Sequence, residues 1–394
     1  MGQLQEAYIV AGLRSAVGKA PRGTFRFMRP DDLATQVIHQ LLAQVPQLDP
    51  ARVEDLIVGN AVPEAEQGLQ IARQIALQSL PKTTGGMTVN RYCASGIETI
   101  AIATAKIRSG MADCIIAGGT ESMSLVPTAG WKIALNYTVA KEHPEYLIGM
   151  GLTAENVAER FHVSREDADL FSLHSHEKAI QAIDNGYFSK GIAPIEVTEV
   201  YVNEKNKRAE KKYKVDTDEG PRRDTSIEAL AKLKPVFAAK GVVTAGNSSQ
   251  TSDGASFVLV MSERMVKELN LQPIARMISC ATVGVDPDIM GIGPVAAIPK
   301  ALKMAGMQLS DVDLIELNEA FAAQALAVIR EAGLNEEIVN INGGAVALGH
   351  PLGCTGTKLT VQILHDLERL QKKYGLVTAC VGGGQGIAGI YERL

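Results

Sequence analysis

Short apolar segments alternating with helical ones constrain this chain more than any single residue does. Ala7-Tyr-Ile-Val-Ala11, Val53-Glu-Asp-Leu-Ile-Val-Gly-Asn60, Met87-Thr-Val-Asn90 and Asp113-Cys-Ile-Ile-Ala-Gly-Gly119 read as strands. Between them, Asp31 to Val45 has the period of an amphipathic helix capped by Asp31 or Asp32. Gln70 to Leu80 is a second helix, stopped by Pro81. Repeated succession of strand and helix predicts an α/β architecture on a largely parallel sheet. The 394 residues suffice for two or three domains with substantial cores.

The segment after Met87 carries the first chemical signal. A tight connection, Arg91-Tyr92, leads to Cys93. Apolar residues at helical spacing follow, Ile97, Ile100, Ala101, Thr104 and Ile107, ended by Gly110. With one charge, Glu98, between Ala94 and Ala105, the helix is expected to be buried nearly all round. Cys93 then lies at the N-terminus of a buried helix, where unpaired N–H groups and the macrodipole favour a thiolate and lower its pKa. The stretch fits a small apolar core cysteine equally well.

Residues 121 to 245 are richer in charge and irregular segments, with helices near Thr153 to Phe161 and Arg165 to Asn185. They read as an insertion rather than a linker, because they hold amphipathic helices of their own. The polar loop Gly246 to Gly254 leads into a strand, Ala255 to Met261, and a second α/β unit runs from Ile274 to the end. A faint echo links the two units: 53–60 with 311–318, Val89-Asn90 with Val339-Asn340, and 115–119 with 379–383. Matching pieces in matching order point to two halves of one fold.

Three later segments supply candidate partners for Cys93. Asn318-Glu-Ala-Phe321 follows the strand Leu314 to Leu317. Gly343-Gly-Ala-Val-Ala-Leu-Gly-His-Pro-Leu-Gly-Cys-Thr-Gly356 is a glycine-rich loop holding His350. Thr378-Ala-Cys-Val-Gly-Gly-Gly-Gln-Gly386 is a strand running into glycines, with Cys380 near its end. Ligands of open α/β sheets bind beyond the carboxyl ends of strands, so Cys93, Asn318, His350 and Cys380 are placed to converge. In this order, over essentially the whole length, these motifs resemble the thiolase family, most of all its degradative 3-ketoacyl-CoA branch. The resemblance implies a thiolase-like α/β fold of two pseudo-equivalent α-β-α-β-α layered halves with an inserted loop domain. The expected division is 1–121 completed by 251–273, an insertion for coenzyme A at 122–250, and a C-terminal half at 274–394.

The activity implied by that resemblance is thiolytic cleavage of 3-ketoacyl-CoA by CoA in fatty-acid β-oxidation. Cys93 takes the nucleophile's role, since a thiolate both attacks a carbonyl and leaves readily. His350 helps deprotonate the attacking thiol, and Cys380 protonates the departing acetyl-CoA enolate at carbon. One oxyanion hole falls to His350 with a water held by Asn318, the other to the backbone N–H groups of Cys93 and Gly382. Losing one such donor costs roughly 3 kcal/mol of barrier. Coenzyme A is here a substrate and no cofactor is permanently bound. The family pattern places Arg222 at its nucleotide end, Ala245 and Ser249 along the pantetheine arm, and Met150 and Phe321 beside it. Many biosynthetic members carry a histidine just before the Met-Gly of that loop. Gly149 stands there in this chain, which favours a roomier acyl side and the degradative branch. Acetoacetyl-CoA formation by acetyl-CoA acetyltransferase chemistry is the nearest alternative. A decarboxylating ketoacyl synthase and a non-catalytic acyl-CoA carrier are further ones.

Other features exclude more than they assign. A net charge of −5 gives no field to attract nucleic acid. Five cysteines without regular spacing, and no targeting segment, point to a reducing, cytoplasmic setting. No apolar run approaches about 18 residues, so no membrane span is expected. Gly384-Gln-Gly-Ile-Ala-Gly389 matches a dinucleotide fingerprint, but the five residues after it leave no room for a crossover. Cys114 and Cys280 read as core, and Cys354 as a loop-packing residue before a third catalytic thiol. His174 and His176 are two apart and share no helical face; no His or Cys pair has ligand spacing, so no metal is expected. The basic cluster Lys205 to Lys214 reads first as a solvated face. A homodimer or homotetramer is expected, with a hydratase–dehydrogenase enzyme as candidate partner.

Overall fold

The computed structural model describes residues 5–394. Its strands are β1 (Ala7–Arg14), β2 (Gly18–Lys19), β3 (Asp55–Gly59), β4 (Gly85–Val89), β5 (Cys114–Ser122), β6 (Ile195–Val202), β7 (Arg208–Val215), β8 (Ser252–Ser262), β9 (Ala275–Gly284), β10 (Leu314–Leu317), β11 (Tyr374–Val381) and β12 (Gln385–Arg393). Ten of them form one sheet in the order β10-β11-β12-β9-β1-β8-β5-β3-β4, with β2 beside β8. β3 runs parallel to β4 and β5, and β10 to β11. Every other pair is antiparallel, so the sheet is mixed rather than largely parallel. The cause is connectivity. Gly382 to Gly384 join β11 to β12 as a hairpin, with no helix to carry the chain back.

The sheet narrows at β1–β9, where Ile9 faces Ala275. On either side the strands repeat one order, which counted along the chain is first, fifth, fourth, second, third. The N-terminal half runs β1, β8, β5, β3, β4. The C-terminal half runs β9, β12, β11, β10, with an isolated Ile315–Val339 bridge in the last place. Two pseudo-equivalent halves therefore exist, but the sequence echo is in register only for β3 and β10. Gly119 faces Gly59 as Thr378, not Gly383, faces Leu317. Met87 faces Ile57 as Val339 faces Ile315. Shared glycines and valines had matched the right strands at the wrong residues.

Helices Ser95–Arg108 and Leu352–Arg369 pack against each other and against strands of both halves, forming the middle layer. Helices Pro30–Ala43 and Ile71–Ser79 cover the outer face of one half, and Gly293–Ala305, with Ala322–Glu331 beside it, the other. Gly118 and Gly119, expected to end their strand, lie inside β5. A Cβ on Gly119 would strike the Gly353 carbonyl oxygen, so glycine there lets the middle helix reach the sheet. The first helix also differs from expectation. It begins at Pro30, whose fixed φ suits the first helical position, with Asp31 and Asp32 in its first turn rather than at its cap. In the inserted region, helices Met150–Arg160 and Arg165–Asp184 are as expected. The basic cluster, however, forms the turn and second strand of an exposed β6–β7 hairpin. Among the described residues, no helix is long and apolar enough to cross a membrane.

Candidate active site

β4 delivers the chain to one tight turn, Tyr92–Ala94, from which the buried Ser95 helix continues. Tyr92 holds φ +44°, a left-handed conformation costly for an aromatic residue. Ser95 Oγ stabilises the turn by accepting from the Arg91 N–H (2.8 Å) and donating to the Tyr92 carbonyl (2.7 Å). The expected depression of the Cys93 thiol is overturned. Burial pushes it up to about 11, and the N–H groups of Gly382 and of Cys93 itself only partly oppose this. Desolvation of a thiolate outweighs the helix end, so the resting residue is a thiol.

The second sulfur comes from the other half. Cys380 is fully buried near the end of β11; burial, and then the nearby Cys93, push its thiol well up. The turn Tyr92–Ala94 packs against both β11 and the Leu352–Arg369 helix, which brings the two cysteines to one pocket. Gly382 sits at its wall. A Cβ there would lie 3.4 Å from Met150 Sδ and 3.7 Å from the Tyr92 ring. Arg91 donates to Glu98 (2.9 Å) and to Gln385 Oε1 (3.0 Å), tying the cysteine turn to the start of β12.

The imidazole of His350 is buried between two partners. Thr355 Oγ1 donates to the Pro351 carbonyl (3.0 Å), so it must accept from His350 Nδ1–H at 2.6 Å. That leaves Nε2 with its lone pair, facing Asn318 Nδ2 at 3.4 Å. Burial, and then the charge of Lys358, hold His350 down at about 3, so it stands neutral as a base. Asn318 Oδ1 is buried without a protein partner, free to hold a water. The glycine loop carrying His350 is anchored by Glu319. Its carboxylate accepts from Ser175 Oγ (2.8 Å), Asn340 Nδ2 (2.8 Å) and the Val346 N–H (3.1 Å).

The expected CoA residues divide. Met150 and Phe321 cluster with Cys380, and Phe237 stacks edge-on to Phe321 at 6.2 Å. Ser249 is half-buried beside them, its N–H on the Ala320 carbonyl (2.9 Å). Ala245 is exposed. Arg222 is not drawn into the catalytic cluster; it is exposed, facing Asp224 at 3.5 Å, while its backbone N–H donates to buried His176 (3.1 Å). Gly149 is solvent-exposed, and a Cβ on it would meet nothing within 4 Å. Cys114 and Cys354 are buried and pushed up to about 12 by desolvation, as packing residues are; half-buried Cys280 is pushed equally high.

Sequence reasoning missed Thr355, Arg91, Gln385, Glu319 and Phe237. Thr355 was findable, one turn into the helix after His-Pro. The others act across elements far apart in the chain. Two neighbouring thiols, backbone N–H groups at the first of them and a neutral buried imidazole on Asn318 are the group types that acyl transfer needs.

Comparison with known proteins agrees. The chain matches the family described as Thiolase, N-terminal domain, over residues 7–264, and Thiolase, C-terminal domain, over 271–393. It is 50% identical over 390 residues to a 3-ketoacyl-CoA thiolase of Bacillus subtilis strain 168, covering 99% of this chain and 100% of that one. Its fold is similar to the crystal structures of the Bacillus anthracis acetyl-CoA acetyltransferase (TM-score 0.90, 39% identity) and human mitochondrial 3-ketoacyl-CoA thiolase (0.89, 38%), each chain covered in full. With two like halves, two facing cysteines and a buried imidazole between the family's own motifs, this chain belongs to the thiolase family.

Proposed function

We propose that the chain cleaves 3-ketoacyl-CoA with CoA, yielding acetyl-CoA and an acyl-CoA two carbons shorter, through an acyl thioester on Cys93. The observation that carries this reading is two thiols sharing one pocket, with the Gly382 N–H directed at the first. Because both are protonated at rest, ionisation is coupled to attack. The Cys93 proton passes to His350 Nε2 as Sγ bonds to the 3-keto carbon. The oxygen's charge is met by the N–H groups of Cys93 and Gly382. Breaking the C2–C3 bond leaves the acyl group on Cys93 and the electron pair on C2. The resulting enolate oxygen faces His350 Nε2–H and water on Asn318, while C2 takes the proton of Cys380. The His350 proton returns to Cys380. CoA thiol then gives its proton to His350 and attacks the acyl carbonyl, and Cys93 leaves and recovers that proton.

Gly149, where many biosynthetic members carry a histidine, supports acyl chains longer than acetoacetyl, and thus the degradative branch of β-oxidation. Residues 122–250 serve as the CoA-binding insertion, with Arg222 at the nucleotide and Ala245 and Ser249 beside pantetheine. The unpaired edge of β4 suits self-association into a dimer or tetramer, in the cytoplasm. Mixing enzyme with 3-ketooctanoyl-CoA and no free CoA tests the chemistry. One acetyl-CoA per chain and an acylated peptide containing Cys93 are expected; no release, or an acyl group elsewhere, defeats it. Comparing kcat/KM for acetoacetyl-CoA and 3-ketooctanoyl-CoA tests the branch, and strong preference for the four-carbon substrate would favour acetyl-CoA acetyltransferase chemistry.

A further inference from the structure

Beneath His350 lies a second polar assembly that the reaction above does not use. Thr355, Lys358 and Gln362 recur at helical spacing on one face of the Leu352–Arg369 helix, and Thr355 is the residue that holds His350 Nδ1. Glu316 and Asn318 are two apart where β10 exits, so they share a side, and Asn318 faces His350 Nε2. Gln362 Nε2 donates to Glu316 Oε1 at 3.0 Å, closing the helix face onto the strand. Lys358 is 1% exposed and Glu316 2%. Seven buried side-chain polar atoms among the described residues lack a protein partner, and four belong here: Asn318 Oδ1, Glu316 Oε2, Lys358 Nζ and Gln362 Oε1. Buried groups of this kind are satisfied by ordered water, and unpaired atoms clustered in one place mark where it sits.

We propose that Lys358 is a positioning residue for thiolysis: bridged by buried water to Glu316 and Gln362, its ammonium braces the helix face and strand exit that hold His350 between Thr355 and Asn318. This rests on the reading of His350 as the base above. The charged groups around Lys358 balance. Arg14 and Asp218 form their own buried two-pronged pair (2.7 and 2.8 Å), leaving the Glu316 carboxylate as the counter-charge, with the Cys354 thiol on the same helix. Burial, then the charge of Asp366, push Glu316 up, with Lys358 opposing and Glu319 adding; burial, then Arg14, push Lys358 down, with Asp218 and Glu316 opposing. The ammonium's field on His350 has a sign that keeps the imidazole uncharged. A cation there adds to what burial already does in keeping the imidazole an uncharged base, and an apolar residue gives up that addition.

Lys358→Met removes charge and donors; Lys358→Gln keeps donors for water; Lys358→Arg keeps the charge. The Met and Gln variants should lose about ten- to a hundredfold in kcat for 3-ketooctanoyl-CoA with KM for CoA within about twofold, and Arg should restore most of it. In free enzyme carrying labelled histidine, NMR should find His350, assigned with His350→Asn, titrating at higher pH in the Met and Gln variants than in wild type. A folded Met or Gln variant with kcat within twofold of wild type, or with an unmoved His350 titration, overturns the proposal. Should Met not fold, Gln decides on the same two readings. The titration needs no turnover, so a wild-type enzyme unable to cleave 3-ketoacyl-CoA would sink the functional reading and leave this one to the NMR result.

Discussion

The two halves of this molecule place different residues at the same points of one strand order. The end of β5 and the end of β11 correspond: Glu121 faces Gly254 across its sheet as Cys380 faces Gly386 across the other. Asn60 follows β3 as Asn318 follows β10. Cys93 and His350 each stand two residues before a middle-layer helix. In the N-terminal half the strand-end carboxylate is saturated. Glu121 accepts from the N–H groups of Ala61 (2.7 Å) and Gly353 (2.8 Å) and from Gln67 Nε2 (2.7 Å), and Asn60 Nδ2 donates to the Thr120 carbonyl (3.0 Å). In the C-terminal half the matching strand end carries Cys380, with the Cys93 thiol as its neighbour; both asparagines keep a free Oδ1, but Asn60 Nδ2 is spent on backbone whereas Asn318 Nδ2 faces His350. One strand end ties down the start of the other half's middle-layer helix through the Gly353 N–H, and the other presents a thiol to the candidate site.

The sharpest way to break this comparison is to exchange the two strand ends' roles. Cys380→Ala should lower kcat about a thousandfold by removing the carbon acid, with denaturant midpoint unchanged. Glu121→Gln should leave kcat within a few-fold and cost about 2–3 kcal/mol in urea unfolding. A folded Glu121→Gln enzyme without turnover would show that the N-terminal strand end is more than scaffold. The asparagine pair differs in what each Nδ2 faces, a backbone carbonyl for Asn60 and His350 for Asn318, and tests the contrast at smaller scale. Asn318→Ala should cost about a hundredfold in kcat, whereas Asn60→Ala should cost about 1 kcal/mol of stability and little rate.

These contrasts show what could be read in advance. As candidates, Cys93, His350, Cys380 and Asn318 could be picked out because each lies in a short local motif beside a strand or helix end. Glu121 could not. Its partners come from residues 60 to 67 and 353, and no local pattern records a carboxylate gathering N–H groups from three segments. The Cys93 thiol was misjudged for a related reason. A helix end is visible in sequence, but the desolvation that outweighs it depends on what the other half lays over the sulfur.

Milder tests refine the C-terminal side. Thr355→Val should free the His350 ring and cost about tenfold in kcat with KM nearly unchanged, checked by steady-state kinetics. Acid should also destabilise the fold through its buried imidazoles. His350, held at about 3, and His176, at about 4, both lie below the ordinary 6.5. The unfolded chain therefore binds protons that the fold refuses, so their contribution is complete above pH 6.5 and falls as pH drops toward 4. Melting temperatures should decline over that window, and less steeply for His176→Asn. The smallest effect belongs to exposed Arg222: Arg222→Ala should raise KM for CoA a few-fold, about 1 kcal/mol or less, leaving kcat alone.

Sequence by itself determined the strand and helix succession, the duplication, and the four motifs that carry chemistry, because these depend on neighbours within a few residues. Tertiary structure decided the mixed sheet, the true register between halves, the protonated state of both thiols and the tautomer of His350. Those follow from burial and from hydrogen bonds between segments hundreds of residues apart, which only packing brings within reach.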